Sequence, residues 1–241
     1  MLTKTRAIVL RAIKYGDTKM IVDMFTRASG RLAFIVSIPK TAKSKMKKQF
    51  FQPLSMLEIE ADIRQKVQLH KLKDVRLASP FLSIPFSQYK LSISLFMAEF
   101  LYYALRSEQR NELLYDYVEN SISWLDGQER NYANFHLVFL MRMSRFLGFY
   151  PNLEDYAPCD FFDLRESVFI PHPPSHRDFL MPEEAEKVQL MMRMDYGTMH
   201  LFRMSHQERN RLLEVLITYY RLHLPDFPEM KSVAVLQDMY Q

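Results

Sequence analysis

The hydrophobic period of this chain changes once, close to Pro80, and that change limits what it can fold into. Before it, apolar residues recur every second position. Leu32, Phe34, Val36 and Ile38 share one face, and Leu57, Ile59, Ala61 and Ile63 alternate with Glu58, Glu60, Asp62 and Arg64. A period of two places one set of side chains on one face of a strand. The run Ala7–Leu10 with Ile13, closed by Gly16, reads as a further strand, as does Lys19–Arg27 before the turn at Gly30. Val67–Leu77 gives a fifth, less regular segment. Five short strands with hardly any helical pattern between them predict a small closed barrel, and the OB-type barrel is the natural candidate.

Past Pro80 the spacing becomes three-four. Ser87–Arg106 reads as helix. Leu113, Leu114, Tyr117, Val118, Ile122 and Leu125 line one face up to Gly127, and Phe135, Val138, Phe139, Met143, Phe146 and Leu147 do so up to Gly148. A Pro-rich irregular insert follows from about 151 to 182, with FFDLRESVFI (161–170) as a short hairpin. Pro182 with Glu183 and Glu184 starts a helix to about Met194. Ser205 and Glu208 form a capping box for a last long helix that ends near Leu224. The expected architecture is α+β: an N-terminal OB-fold β-barrel over residues 1–79, then a mainly α-helical domain over 80–241.

Charge divides at the same place. Residues 1–79 hold 17 Lys and Arg against 6 Asp and Glu, whereas the remainder holds 15 against 22. A basic front and an acidic body suggest a polyanion partner for the front, nucleic acid first among them. Five of those cations, Lys40, Lys43, Lys45, Lys47 and Lys48, lie within ten residues between two strands. Ammonium groups on flexible stems contact phosphates without demanding a base geometry. Arg6, Arg11, Lys14, Lys19, Arg27 and Arg31 lie on neighbouring strands and turns and complete the candidate DNA-binding set. Phe25, Phe34, Phe50 and Phe51 are interleaved with them. Exposed rings beside a basic groove stack bases, but most of these four fall on apolar strand faces, which favours the core.

Other chemistries are poorly supplied. With five glycines in all, the chain has neither GxGxxG nor GxxxxGK[ST]. Cys159, His172 and His176 share the insert, but one Cys and two His fall short of a closed tetrahedral zinc site. No catalytic residues are assigned, and the chain reads as a non-enzyme. The tyrosines and methionines of the body read as bundle core. Arg142 and Arg145 could rim a pocket for an acidic peptide end, although a solvated face explains them more simply. The single cysteine suits a reducing compartment, no run reaches the roughly 18 apolar residues of a membrane span, and the amino terminus lacks the apolar core of a signal peptide. A cytoplasmic location and no membrane partner are expected.

The opening AIVLRAIKYGDTKMIVDMFTRASGRLAFIV resembles the amino-terminal barrel of the RecO family of bacterial DNA repair and recombination mediators. The shared features are a basic strand, the Gly16-Asp17 turn, Thr26-Arg27, and Gly30-Arg31 before an apolar strand. QPLSMLEIE is similar to that barrel's fourth strand, RFLGFYPNL to the helix end before the family's variable segment, and KSVAVLQ to its C-terminal part. The pieces span nearly the whole chain in the right order.

The resemblance implies an OB-fold, a helical domain, and binding of single- and double-stranded DNA with annealing of complementary strands. It also implies a RecR-like partner, engagement of the acidic C-terminal tail of single-strand-binding protein, and help in loading the recombinase, in the cytoplasm and at the nucleoid. Family members often carry a four-cysteine zinc site after the Pro-Asn-Leu; here that region holds only Cys159, so three of four ligands are missing. The insert is then expected to rest on Phe161, Phe162, Phe169 and Ile170. Two further readings fit the same residues: another OB-fold binder of RNA or DNA, or a non-enzymatic scaffold whose basic barrel docks an acidic protein surface.

Overall fold

A computed structural model describes residues 2–37, 47–64, 67–154 and 156–239. The chain forms two compact units: Met1–Gly127 with Met230–Met239, and Gln128–Glu229.

In the first unit, β1 (Leu2–Tyr15), β2 (Lys19–Thr26), β3 (Gly30–Ser37), β4 (Met56–Asp62) and β5 (Leu69–Ser79) close into a barrel in the order β1-β2-β3-β5-β4. Neighbours are antiparallel except β3 and β5, which pair in parallel over Ala33–Ile35. The period-two residues within the described range face inward as expected; Ile38 lies outside the described residues. Met20, Val22, Met24, Phe34, Val36, Leu57, Ile59 and Ala61 fill the barrel, with Leu32 and Ile63 packed against them. Each of these side chains larger than Ala61 contributes about 1.5–3 kcal/mol on burial, so a one-residue slip, which would expose a whole strand's set, is strongly disfavoured. A bulge between Val9 and Arg11 shifts the register within β1.

The strand connections explain two glycines. Gly16 (φ 67°) turns β1 into β2, and Gly30 (φ 71°) opens β3; both occupy the left-handed region where a side chain is strained. At Gly30 the backbone also leaves no room, because an added Cβ would sit 2.4 Å from the Glu108 carbonyl oxygen.

The same unit carries α1 (Gln88–Ala104) and α2 (Glu112–Gly127). The outward side of the first half of β1 and the end of β2 is covered: Ile8, Leu10 and Phe25 are buried, and the Phe25 ring meets Tyr115 of α2 at 5.6 Å. Asp126, at the end of α2, ties down the segment between β5 and α1. Its carboxylate accepts the N–H groups of Leu82 (2.7 Å), Ser83 (2.9 Å) and Ile84 (2.9 Å). Lys90, only 2% exposed, donates to Ser83 Oγ at 2.6 Å and to the Asp126 carbonyl at 3.2 Å.

The second unit contains α3 (Phe135–Phe146), the short strands β6 (Phe161–Asp163), β7 (Val168–Ile170) and β8 (Phe179–Leu180), and the helices α4 (Pro182–Arg193) and α5 (His206–His223). The sequence-based hairpin is β6–β7, and β8 adds a third strand to give the order β7-β6-β8. Two residues are too few for a periodic signal, so β8 has no signature in the sequence. Helix α5 starts at the expected capping box: Ser205 N–H donates to Glu208 Oε2 (2.8 Å) and Glu208 N–H to Ser205 Oγ (3.2 Å). Tyr220 of α5 donates to the Leu140 carbonyl of α3 at 2.7 Å. One more helix, α6 (Lys231–Asp238), falls on KSVAVLQ and belongs to the first unit, where it packs on α1; Glu99 accepts its first N–H groups from Lys231 and Ser232.

In the insert Phe162 and Phe169 are buried as expected, but Phe161 and Ile170 are only half-buried, and Leu164 and Leu180 complete the apolar set. Asp163 caps the β6–β7 turn, accepting from the N–H groups of Arg165 (2.8 Å) and Glu166 (3.2 Å), and pairs with His176 at 3.2 Å. These residues do not fit a four-cysteine zinc site: Cys159 is exposed, and among the described residues no group of three or more His, Cys, Asp and Glu is arranged to hold a metal. Among the described residues no helix is long and apolar enough to cross a membrane.

Candidate nucleic-acid interface

Strand register sorts the outward-facing residues of the barrel into rows. Arg11 pairs with Asp23, Asp23 with Ala33, and Ala33 with Leu69. The next row is Ile13, Ile21, Ile35 and Lys71, and beyond it come Tyr15, Lys19 and Ser37. Along β1 the outer face therefore passes from buried Ile8 and Leu10 to Ile13 at 39% and Tyr15 at 55% exposure.

The border between covered and open face is a cation–π cluster. Tyr102 of α1 lies under both Arg31, whose guanidinium carbon is 4.0 Å from the ring centre, and Arg11, at 5.0 Å. Arg31 is held further by Asp23 (3.2 Å) and the Tyr102 carbonyl (2.5 Å). A guanidinium stacked on a ring and paired with a carboxylate is a positioning element for the face.

The cations singled out from the sequence fall into three groups. Lys14, Lys19, Lys47 and Lys48 are exposed, and among the described residues none of them has a carboxylate at ion-pair distance; Arg11 is exposed at the border. Arg6, Arg27 and Arg31 are engaged by acidic residues of the same unit. Arg6 meets Glu119 at 2.9 Å, and Arg27 forms a two-toothed pair with Asp116 (3.0 and 3.2 Å) plus a contact with Glu112 (3.1 Å). Hydrogen bonding to Asp116 raises the Arg27 pKa, and the same bond holds the Asp116 carboxyl below the usual carboxylate range. Glu112, Asp116 and Glu119 lie on one side of α2, so that helix meets two barrel arginines with an acidic stripe. Lys40, Lys43 and Lys45 lie outside the described residues, in the segment between Ser37 and Lys47.

None of the four phenylalanines considered as base-stacking rings is free on the open face: three belong to the barrel core or pack on it, and Phe25 is buried on the outward side against Tyr115. Phe25 and Phe34 are fully buried, Phe51 is 3% exposed, and Phe50 packs against the same cluster. The residues that sequence reasoning left out are Tyr15 and Lys71. Lys71 joins the open face through the parallel β3–β5 pairing, which no local signal announces. Arg142, considered for a peptide pocket in the second unit, donates to the Met194 carbonyl at 3.1 Å.

A closed five-stranded barrel in this strand order, with a helix bordering its outer face and a helical body following in the chain, defines an OB-barrel protein. Comparison with known proteins narrows the class. Residues 1–81 match the family model described as recombination protein O N terminal, and residues 87–232 the model described as recombination protein O C terminal. The chain is 53% identical over 240 residues to DNA repair protein RecO of Phocaeicola vulgatus and 49% identical over 241 residues to that of Bacteroides fragilis, with all of each chain covered. It is 35% identical over 242 residues to DNA repair protein RecO of Flavobacterium psychrophilum, again end to end. The chain belongs to the RecO family of DNA repair proteins.

Proposed function

We propose that this protein is a DNA-binding recombination mediator that acts by binding rather than by covalent catalysis, in the bacterial cytoplasm and at the nucleoid. The observation that carries this reading is the sorting of the barrel's cations. Exposed Lys14 and Lys19 stand at the end of the barrel where Lys19 pairs with Ser37, the last described residue before the lysine-rich segment. Lys40, Lys43, Lys45, Lys47 and Lys48 with Lys14, Lys19 and Arg11 supply sequence-independent phosphate contacts. Arg6, Arg27 and Arg31, which face carboxylates, serve mainly to hold α1 and α2 on the barrel.

Annealing follows from the same physics. Two strands repel along their phosphates, and a cationic segment that neutralises both lets complementary bases meet. The protein partners are a RecR-like mediator and the acidic C-terminal tail of single-strand-binding protein, which bring the site to coated strands and favour recombinase loading. The net-negative body keeps itself off the DNA, and the tail would meet local cations on it rather than its net charge. The test is annealing of two complementary oligonucleotides, bare and coated with single-strand-binding protein, across a salt series. Wild type should accelerate annealing on both. A variant with the five segment lysines changed to glutamine should anneal more slowly, and the steepness of its log affinity against log salt should drop by roughly 0.7 for each single-strand phosphate left without its lysine. An unchanged slope would refute the assignment of those lysines.

A further inference from the structure

We infer that Tyr15, with the isoleucine floor beside it, is a base-stacking platform that makes the barrel prefer single strands to duplex. This rests on the DNA-binding reading above and adds to it a residue and a selectivity. To hold bases as well as phosphates a barrel would need an aromatic surface, and its phenylalanines do not supply it: Phe25 and Phe34 have no exposure and Phe51 has 3%. Among the described residues of the open outer face, the exposed ring is Tyr15, at 55%.

Its surroundings suit a nucleobase. Tyr15 pairs across the hairpin with Lys19, follows Lys14 in the chain, and is two residues from Ile13 on the same face. Ile13, Ile21 and Ile35 lie side by side on adjacent strands, with Lys71 at the end of that row. The result is a short apolar strip with ammonium groups at its edges. Isolated exposed apolar residues are ordinary, but an unbroken row across three strands, with Lys71 at its end and an exposed ring beside Lys19 in the next row, matches the groove-plus-platform construction of single-strand binders. Charge complementarity selects the occupant. Arg11, Lys19 and Lys71 on this face, with exposed Lys14 next to Tyr15 in the chain, outnumber the carboxylates nearby: Asp23 is paired with Arg31, which leaves Asp17 of the turn.

The consequence is selectivity by strand state. Phosphate contacts from lysines serve single strands and duplex alike. A ring that stacks on a base gains nothing from duplex, where each base face is already covered by its neighbours. When two strands pair, the base leaves the ring while phosphates stay on the lysines, so the platform weakens the grip on the annealed product.

The experiment compares the full-length wild type with Tyr15→Ala and Tyr15→Phe, using fluorescence anisotropy of a labelled oligo-dT and of a duplex of equal length, across a salt series. Thermal unfolding by circular dichroism checks that the variants fold. Tyr15→Ala should weaken oligo-dT binding roughly 5- to 150-fold, leave duplex binding and the oligo-dT salt slope unchanged, and Tyr15→Phe should retain wild-type affinity. Wild-type affinity of Tyr15→Ala for oligo-dT would overturn the inference while leaving the DNA-binding reading intact. So would an equal loss on single strands and duplex. Failure of the wild type to bind either nucleic acid at low salt would overturn both.

Discussion

Replacing Asp126 with alanine should be among the most destabilising single changes available in the first unit. The carboxylate holds three successive N–H groups, of Leu82, Ser83 and Ile84, at 2.7–2.9 Å, and its own main-chain carbonyl accepts from buried Lys90 and from Ser83 Oγ. A hydrogen bond to a charged acceptor contributes about 1.5–3 kcal/mol, and a donor left dry loses its full desolvation cost. The Ile84 bond is buried and the other two are partly so, which lets water recover part of the loss there. The total comes to about 3–5 kcal/mol, in the range for breaking one partner of a buried charged network. Asparagine, which keeps one acceptor oxygen, should cost roughly half as much. The assay is urea unfolding followed by tryptophan fluorescence, because the chain's one tryptophan, Trp124, lies on α2 two residues from Asp126 and reports this unit. A shift of the Asp126→Ala midpoint worth less than about 0.5 kcal/mol, the size of an ordinary surface substitution, would refute the reasoning. Acid gives a second check. Burial alone would raise the Asp126 carboxyl, but the three N–H donors outweigh it and hold it below the ordinary range. Its stabilisation is therefore complete above the unfolded pKa of about 4 and fades as pH falls through the lower folded value.

Two further outcomes follow from backbone geometry and burial. Gly30→Ala should destabilise the first unit by more than about 2 kcal/mol in the same urea assay, since it adds left-handed strain to a Cβ set 2.4–2.6 Å from the main chain of Glu108 and Gln109, which no rotamer change can relieve. A cost below about 0.5 kcal/mol, the size of an ordinary surface substitution, would mean that the loop yields and would refute the argument. In the second unit, burial first and the Arg209 charge second push the His136 imidazole down to about 3, so it stays neutral in the fold while the unfolded chain takes up a proton near its ordinary 6.5. Stability should be fully present above about pH 6.5 and fall by about 1.4 kcal/mol per pH unit, from this group alone, as pH drops toward 3. Titration of the His136 ring by NMR checks it directly, and a ring that titrates near 6 in the native protein would refute the assignment.

Patterns carried by neighbouring residues were legible in the chain itself. Alternation at Leu32–Val36 and Leu57–Ile63 decides which face of each strand is apolar, because a two-residue repeat admits one burial pattern, and the observed core uses those residues. Ser205 and Glu208 announced the start of α5 because a capping box is satisfied entirely within one turn. The resemblance of ordered segments reached the family for the same reason: it is a property of the linear chain.

Pairings between distant residues were decided only in three dimensions. Arg6 and Arg27 count as cations of the basic half in any tally, yet their partners Glu119 and Asp116 lie 113 and 89 residues away and meet them because α2 covers that part of the barrel. Lys71 joins the open face because closure of the barrel sets β5 parallel to β3, a pairing that has no signature within either strand. Tyr15 and Phe34 are both aromatic residues in strand segments of the basic half, but one stands in solvent and the other fills the barrel. Composition, period and local caps determined the elements and their inward faces, since those depend on neighbours in sequence. Which charges and which ring remain open to solvent depended on the packing of one element upon another, and only the tertiary structure settles that.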